Sequence, residues 1–143
     1  MKFKGLPGLR KTVILAAGVC ALALFCGCGI KEETDKKVQD LDFTVMQEKE
    51  IPQDILEMIE AKKTGEFQFT KTSGDYTYLV VGYGQQNTSG YSIQVEDVYL
   101  GENAIYVETS LLGPKKDEAV NQIKTFPYVV VKIPKRDEAV VFK

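Results

Sequence analysis

Apolar and polar residues alternate along the chain from Glu66 onward, and this period of two restricts the fold more than any other feature of the sequence. Successive side chains of a β-strand point to opposite faces of a sheet, so the pattern predicts strands. Six segments follow it, and short turn sequences join them into three predicted hairpins. The pairs are EFQFTKT with DYTYLVVGYG through Thr72-Ser73-Gly74, YSIQVEDVYL with NAIYVETSLL through Gly101-Glu102, and FPYVVVKI with EAVVFK through Pro134-Lys135-Arg136-Asp137.

Two of the predicted strands have apolar residues on both faces. TYLVV (77–81) and YVVV (128–131) are therefore expected to be central strands that are covered on both sides. YSIQV and AIYVET alternate more regularly, which predicts one face in water for each. The apolar parity slips at Asp97, and a bulge or bend at that point is the simplest cause.

One amphipathic helix is predicted before these strands, within IPQDILEMIEAKKTG (51–65). Pro52 suits the first helical position and Gly65 is placed to end the helix. Ile55, Met58 and Ile59 share one face, so we expect the helix to pack on the core. LDFTVM (41–46) reads as an additional first strand.

Together these segments predict a single mainly β domain, with α+β as the alternative class. We expect an antiparallel β-sandwich or rolled sheet of about seven strands, with one amphipathic helix near the N-terminus of the exported domain.

The N-terminus has the pattern of an export signal. Four basic residues precede an uncharged, mostly apolar segment at 12–25, as in a secretory signal peptide. Gly27 followed by Cys28 resembles a bacterial lipobox, in which the cysteine becomes the lipidated first residue of the mature protein. We therefore expect a lipid on Cys28 to hold the protein in the cell membrane, on the extracytoplasmic face.

This assignment divides the chain into three parts: a signal peptide at 1–27, the lipidated cysteine with a flexible tether at 28–40, and one globular domain at 41–143. The tether is charged and nearly devoid of apolar residues, so we expect it not to fold by itself. Two alternatives stay open for the N-terminus. Residues 12–28 could remain as an uncleaved anchor, being near the ~18 residues that a spanning helix needs, or ordinary cleavage could release the protein.

The composition excludes several kinds of chemistry. All three cysteines lie in the targeting segment, and the chain has no histidine, so thiol and histidine catalysis and thiolate metal sites are not expected. No calcium loop or phosphate loop is present either. Residues 1–27 hold four of the 18 Lys/Arg and none of the 20 Asp/Glu, which leaves 14 against 20, a net charge of −6. Nucleic acid is therefore not an expected partner, and we predict a non-catalytic binding module with no cofactor and no metal.

Two connections could carry function. The polar connector GQQNTSGYSI (84–93) contains Gly90, which is expected to supply a positive φ or a close approach before Tyr91. Its Asn87-Thr88-Ser89 triplet matches a glycosylation sequon that we expect to be silent in a bacterial lipoprotein. The connection at 113–126 is longer than the hairpin turns, and it either carries function or forms a structural crossover with a short helix at 118–123.

Several segments, in order, resemble the PrcB-like lipoprotein family over about Leu41 to Lys135. They are LDFTV, IPQDILEMIE, YTYLVVGYGQQNTSGYSIQVEDVYL, ENAIYVET and TFPYVVVKIPK. The C-terminal part is similar to the PrcB C-terminal domain, with its Thr-Gly-Gly-Tyr-like loop and its Pro-Tyr-Val-Val-hydrophobic-Pro strand. Here these read Thr88-Ser89-Gly90-Tyr91 and Pro127-Tyr128-Val129-Val130-Val131-Lys132-Ile133-Pro134, so Ser89 stands where the pattern usually has glycine.

The resemblance implies an accessory role, because the family takes its name from an accessory lipoprotein of an exported subtilisin-like protease complex. We expect such a protease as the protein partner. Two alternatives are a direct protease inhibitor that uses the 87–91 loop, which looks somewhat like the loop of chagasin-type inhibitors, and a binder of a small molecule or cell-envelope polymer. The candidate partner-binding residues are Asn87, Thr88, Ser89, Gly90, Tyr91, Pro127 and Tyr128.

Overall fold

The computed structural model describes residues 36–143, which contain eight strands, a 3-10 turn and one α-helix. The predicted signal peptide, Cys28 and most of the predicted tether lie outside these residues. The 3-10 turn spans Glu48–Glu50 and the helix α1 spans Gln53–Lys62. The strands are β1 (Lys37–Asp40), β2 (Thr44–Val45), β3 (Glu66–Ser73), β4 (Tyr76–Tyr83), β5 (Ser92–Gly101), β6 (Ile105–Leu112), β7 (Tyr128–Pro134) and β8 (Val140–Phe142).

The strands form two four-stranded sheets that pack face to face. Sheet 1 has the order β1-β5-β6-β8 and sheet 2 has the order β2-β7-β4-β3. All neighbouring strands are antiparallel except β6 and β8, which are parallel. The mainly β, sandwich-like prediction is confirmed, with eight strands in the described residues where about seven were expected.

The core lies between the two sheets, and a second apolar layer lies between sheet 2 and α1. Because side chains alternate along a strand, Leu79 and Val131 face sheet 1 while Val80 and Val130 face the helix. Both central strands are therefore covered on both faces, as their apolar sequences predict. The side chains between the sheets are Leu79, Val81, Val98, Ile105, Val107, Val129, Val131 and Ile133.

Helix α1 covers the outer face of sheet 2 with the apolar side predicted for it. Ile55 and Ile59 are fully buried against that sheet, and Met58 is only half buried. Pro52 is the residue that precedes the first helical turn. A salt bridge also joins the helix to β3, with Lys71 Nζ 2.5 Å from Asp54 Oδ2. This interaction lowers the pKa of the Asp54 carboxyl.

The folded domain begins earlier than the sequence predicts. Residues 37–40, expected to belong to the tether, form β1 and pair with the end of β5. All four residues are exposed. A charged segment can add to a sheet edge because main-chain hydrogen bonds do not require apolar side chains. Lys37 also lies 2.7 Å from Asp97 and 5.3 Å from the centre of the Tyr99 ring, and its hydrogen bonds to Asp40 and Asp97 raise its pKa.

The third predicted hairpin is wrong. β7 lies in sheet 2, whereas β8 lies in sheet 1 beside β6, so the segment after Pro134 crosses between the sheets. The physical reason is that β7 already has β2 and β4 as neighbours. The edge of β6 that faces away from β5 is the one to which β8 pairs. The crossing is held by the N–H of Lys135, which donates to the carbonyl oxygen of Asp75 at 2.9 Å.

The other two hairpins and the bulge are confirmed. The β3–β4 turn lies at Gly74-Asp75, slightly later than predicted, and Gly74 has the positive φ of 58° that such a turn needs. The β5–β6 register shifts between Val95 and Asp97, so Glu96 is the bulged residue.

The expected wet face of β6 is absent at its start, where Ile105–Val107 are all buried. The outer side of this region is covered because the rings of Tyr99 and Tyr106 stack there at 5.2 Å. Among the described residues, no helix is long and apolar enough to cross a membrane.

We expect Ile55→Ala to destabilise the protein by about 2–5 kcal/mol, because it removes a fully buried side chain between α1 and sheet 2. Urea unfolding followed by circular dichroism measures the loss. Glu57→Ala, an exposed change in the same helix, is the control and should stay within about 0.5 kcal/mol of the original protein. Equal effects of the two changes would contradict the packing described for α1.

Candidate partner-binding site: the paired loops and the edge cleft

Two connections at one end of the sandwich bind to each other, and we call them the paired loops: residues 84–91 after β4 and 113–126 after β6. Gln86 and Thr125 form an antiparallel bridge, with the Gln86 N–H donating to the Thr125 carbonyl oxygen at 2.8 Å. Farther along, the Ser89 N–H donates to the Asn121 carbonyl oxygen at 3.0 Å. The longer connection has no helix at 118–123, so the predicted crossover helix is absent. It is not a separate loop either, because it is hydrogen-bonded to the first loop.

Side chains add two more bonds between the paired loops. The Asn121 N–H donates to Ser89 Oγ at 2.9 Å, and Thr125 Oγ1 donates to the Thr88 carbonyl oxygen at 2.7 Å. Thr88 and Ser89 therefore hold the loops together. Asn87 is exposed between the two attachment points, whereas Tyr91 is half buried beside Gly113.

Gly90 is required where the loops meet. Its φ is 92°, a conformation that side chains disfavour, and an added Cβ would lie 2.9 Å from Pro114 Cβ and 3.1 Å from Val120 Cγ1. Both reasons predicted from the sequence, a positive φ and a close approach, thus apply. No residue other than glycine has a positive φ in the described part of the chain, so Ser89 is accommodated without such strain.

Pro127 and Tyr128 contribute to a different feature, a cleft of about 390 Å³ along the edge of the sandwich on which β5 and β7 lie. We call it the edge cleft. Most of its lining residues are of apolar type, but polar atoms form more of the lining surface than apolar atoms do, and Glu48 is the one carboxylate among the lining residues. The lining residues are Val45, Met46, Glu48, Ile51, Ile93, Phe126, Pro127, Tyr128, Val129 and Val130.

Negatively charged side chains lie around the edge cleft. Burial raises the pKa of the Tyr128 hydroxyl, and the negative charges of Glu48 and Glu60 raise it further. The Tyr128 hydroxyl therefore stays neutral in the ordinary pH range. Lys63 lies 5.1 Å from the centre of the Phe126 ring and pairs with Glu60 at 2.6 Å, so it offsets part of this charge.

The predicted site residues thus fall into two groups. Asn87, Thr88, Ser89 and Gly90 belong to the paired loops, whereas Pro127 and Tyr128 line the edge cleft. The segment 125–128 connects them, since Thr125 pairs with Gln86 and the carbonyl oxygen of Pro127 accepts a hydrogen bond from the Tyr83 N–H at 3.1 Å.

Sequence reasoning missed three contributors. Ile93 reads as an ordinary inward residue of β5, and Glu48 lies in a charged stretch without a clear pattern. Asn121 could not be selected because nothing in the sequence shows that residues 121–125 pair with residues 86–89.

The geometry is suited to binding. The edge cleft offers apolar side chains, main-chain groups and one carboxylate, which are the elements of a peptide- or ligand-binding surface. Within residues 36–143, no group of three or more His, Cys, Asp or Glu side chains is placed to hold a metal ion.

The fold and the site define a small two-sheet β-sandwich in which the loop motif lies in the paired loops and the strand motif lines the edge cleft. Residues 77–134 match the family model described as PrcB C-terminal, from the second residue of β4 to the last of β7. This segment is similar to the PrcB C-terminal family, which supports the resemblance found in the sequence. Neither curated proteins nor solved structures yield a match to the chain. The family suggests an accessory role in a protease complex.

We expect Gly90→Ala to lower stability by about 1–3 kcal/mol, because alanine at this φ is strained and its Cβ meets Pro114 and Val120. Gly65→Ala is the matched control, since an added Cβ there meets no atom within 4 Å and Gly65 has no positive φ. Thermal unfolding measures both. If the two variants have the same melting temperature, the loops do not depend on Gly90 as described.

Proposed function

We propose that this protein is a non-catalytic accessory subunit, anchored by a lipid on Cys28 at the extracytoplasmic face of the cell membrane, that binds an exported protease. The observation that carries the proposal is the family match, because residues 77–134 include both of the paired loops and one wall of the edge cleft. The accessory role that the family suggests is assigned here to that surface.

Exposed apolar side chains support a contact surface at the loop end of the sandwich. Ile123 in the second loop is 55% exposed, and Leu112 at the end of β6 is 44% exposed. Leu112 is in register with Ser92, which follows the first loop. Protein interfaces combine such apolar groups with a polar rim, and the exposed Gln85 and Asn87 supply polar groups beside them.

The position of β1 separates the start of the described chain from the paired loops. Lys37 pairs with Gly101 at one end of β5, whereas Ser92, next to the paired loops, is at the other end. At ~3.3 Å per residue these ends are roughly 30 Å apart. The chain enters the described domain near Lys37, so the proposed anchor does not have to pass the paired loops to reach it.

The anchor is tested by metabolic labelling with a fatty-acid probe in a bacterial host. Cys28→Ala should abolish labelling and release the protein from the membrane fraction, because Cys28 is the residue that the lipobox pattern selects. Cys26→Ala is the control and should keep both. Labelling that persists in Cys28→Ala, or that disappears in Cys26→Ala, would assign the lipid elsewhere.

The partner is tested by site-specific photocrosslinking in intact membranes. A photoreactive residue at Asn87 should capture an exported protease, because Asn87 is exposed at the loop end. The same probe at Glu102, exposed in the turn at the opposite end of β5, should not. Capture of the protease from both positions would contradict the assigned surface, and capture of cell-envelope polymer alone would favour that alternative.

A further inference from the structure

The edge of sheet 1 that borders the edge cleft is only half covered. β1 pairs with β5 along Tyr99–Gly101, and the last bond on this side is the Leu41 N–H to the Val98 carbonyl oxygen at 3.1 Å. The chain then leaves for sheet 2 and forms β2. Within residues 36–143, the first half of β5, from Ser92 to Glu96, has no strand neighbour on the side away from β6.

The hydrogen-bond pattern shows which main-chain groups face this open side. Thr109 uses its N–H on the β8 side, where it donates to the Lys143 carbonyl oxygen at 3.3 Å. Thr109 is opposite Val95, so this pair exchanges no hydrogen bonds and Val95 directs its N–H and C=O away from β6. Ile93, two residues earlier, has the same orientation. Two residues of β5 thus direct main-chain groups to the open edge, where no described strand pairs with them.

Sheet 2 presents a similar open position across the cleft. The Met46 N–H donates to the Val130 carbonyl oxygen at 2.8 Å, and the chain then turns into the 3-10 segment at Glu48. Tyr128, two residues before Val130, directs its main-chain groups to the same side. Both Ile93 and Tyr128 line the edge cleft, so the open parts of the two sheets face one cavity.

The lining indicates what would fill this position. Val45 is 48% exposed, and the other side chains around it are mainly apolar, which favours apolar side chains on the occupant. Glu48 makes no ion pair with another described side chain, and Glu60 adds negative charge nearby. A basic side chain on the occupant would complement these carboxylates.

We propose that the open edge at Ile93 and Val95, with the edge cleft beside it, binds an extended segment of a partner protein by strand addition. The segment has apolar side chains at alternate positions and a basic residue that meets Glu48. Main-chain hydrogen bonds supply affinity in this mode, and pockets for alternate side chains supply specificity. The inference rests on the proposed function, since it specifies how the protein partner is bound.

The other long open edge, β3, is less suited to such a segment. It lies outside residues 77–134, and its exposed positions are polar: Glu66, Gln68, Thr70 and Thr72. Lys71 there is already paired with Asp54. Polar and charged side chains are the usual protection of an edge against pairing.

The test uses the detergent-solubilised full-length protein and three fluorescent hexapeptides that alternate lysine with valine, leucine or tyrosine. At least one should bind, and replacing its lysines with aspartate should weaken binding more than tenfold. N-methylation of the three odd amides and of the three even amides should have unequal effects, because only one edge of an added strand faces the protein. No binding of any peptide at millimolar concentration, or equal loss from both methylated forms, would overturn the inference.

The site of binding is then mapped with a photoreactive group on the peptide. Crosslinks should fall on Ser92–Glu96 or on residues 45–48, and Glu48→Gln should weaken the lysine peptides several-fold while leaving the aspartate peptides unaffected. Crosslinks confined to β3 would assign the wrong edge. These outcomes are separate from the Asn87 crosslinking experiment, because capture of a protease there without peptide binding here would keep the proposed function and refute strand addition.

Discussion

The burial of β4 and β7 on both faces is the constraint on which the rest of the structure depends. Leu79 and Val131 are paired in register and face sheet 1, whereas Val80 and Val130 are paired and face the helix. Each such side chain contributes roughly 1.5–3 kcal/mol on burial. Because both strands also pair with a neighbouring strand on each side, the positions of their ends are well fixed. The paired loops begin after β4 and the edge cleft lies beside β7, so the rigid centre of the fold positions both.

Local patterns in the sequence predict most of the strands, the helix and the bulge, because these depend on side-chain period and on residues close along the chain. Pairing was harder to predict. β8 reads as the partner of β7 but pairs with β6, since a strand of three residues adds to whichever edge its connection can reach. The charged residues of β1 predict a tether, yet the main chain of β1 pairs with β5. Lys37 also forms a hydrogen bond with Asp97, sixty residues away in the sequence.

The candidate site shows the same division. The need for glycine at position 90 could be predicted, because the sequence pattern around it is local and only glycine adopts that φ easily. The roles of Thr88 and Ser89 could not, because they depend on Asn121 and Thr125, more than thirty residues away. Ile93 and Glu48 are also brought together only by the fold, since Ile93 reaches the cleft from β5 and Glu48 reaches it from the 3-10 turn.

One short crossing explains both the open edge and the position at which the described chain enters sheet 1. β1 ends at Asp40 and β2 begins at Thr44, so three residues carry the chain from sheet 1 to sheet 2. A crossing of this length closes the sandwich only beside Val98 and Lys132, and it leaves Ile93 and Tyr128 uncovered. The same strand direction places Lys37 at the far end of β5 from the paired loops. A first strand that entered from the loop end would lie beside Ser92–Glu96, so within the described residues the direction of β1 leaves the edge cleft uncovered.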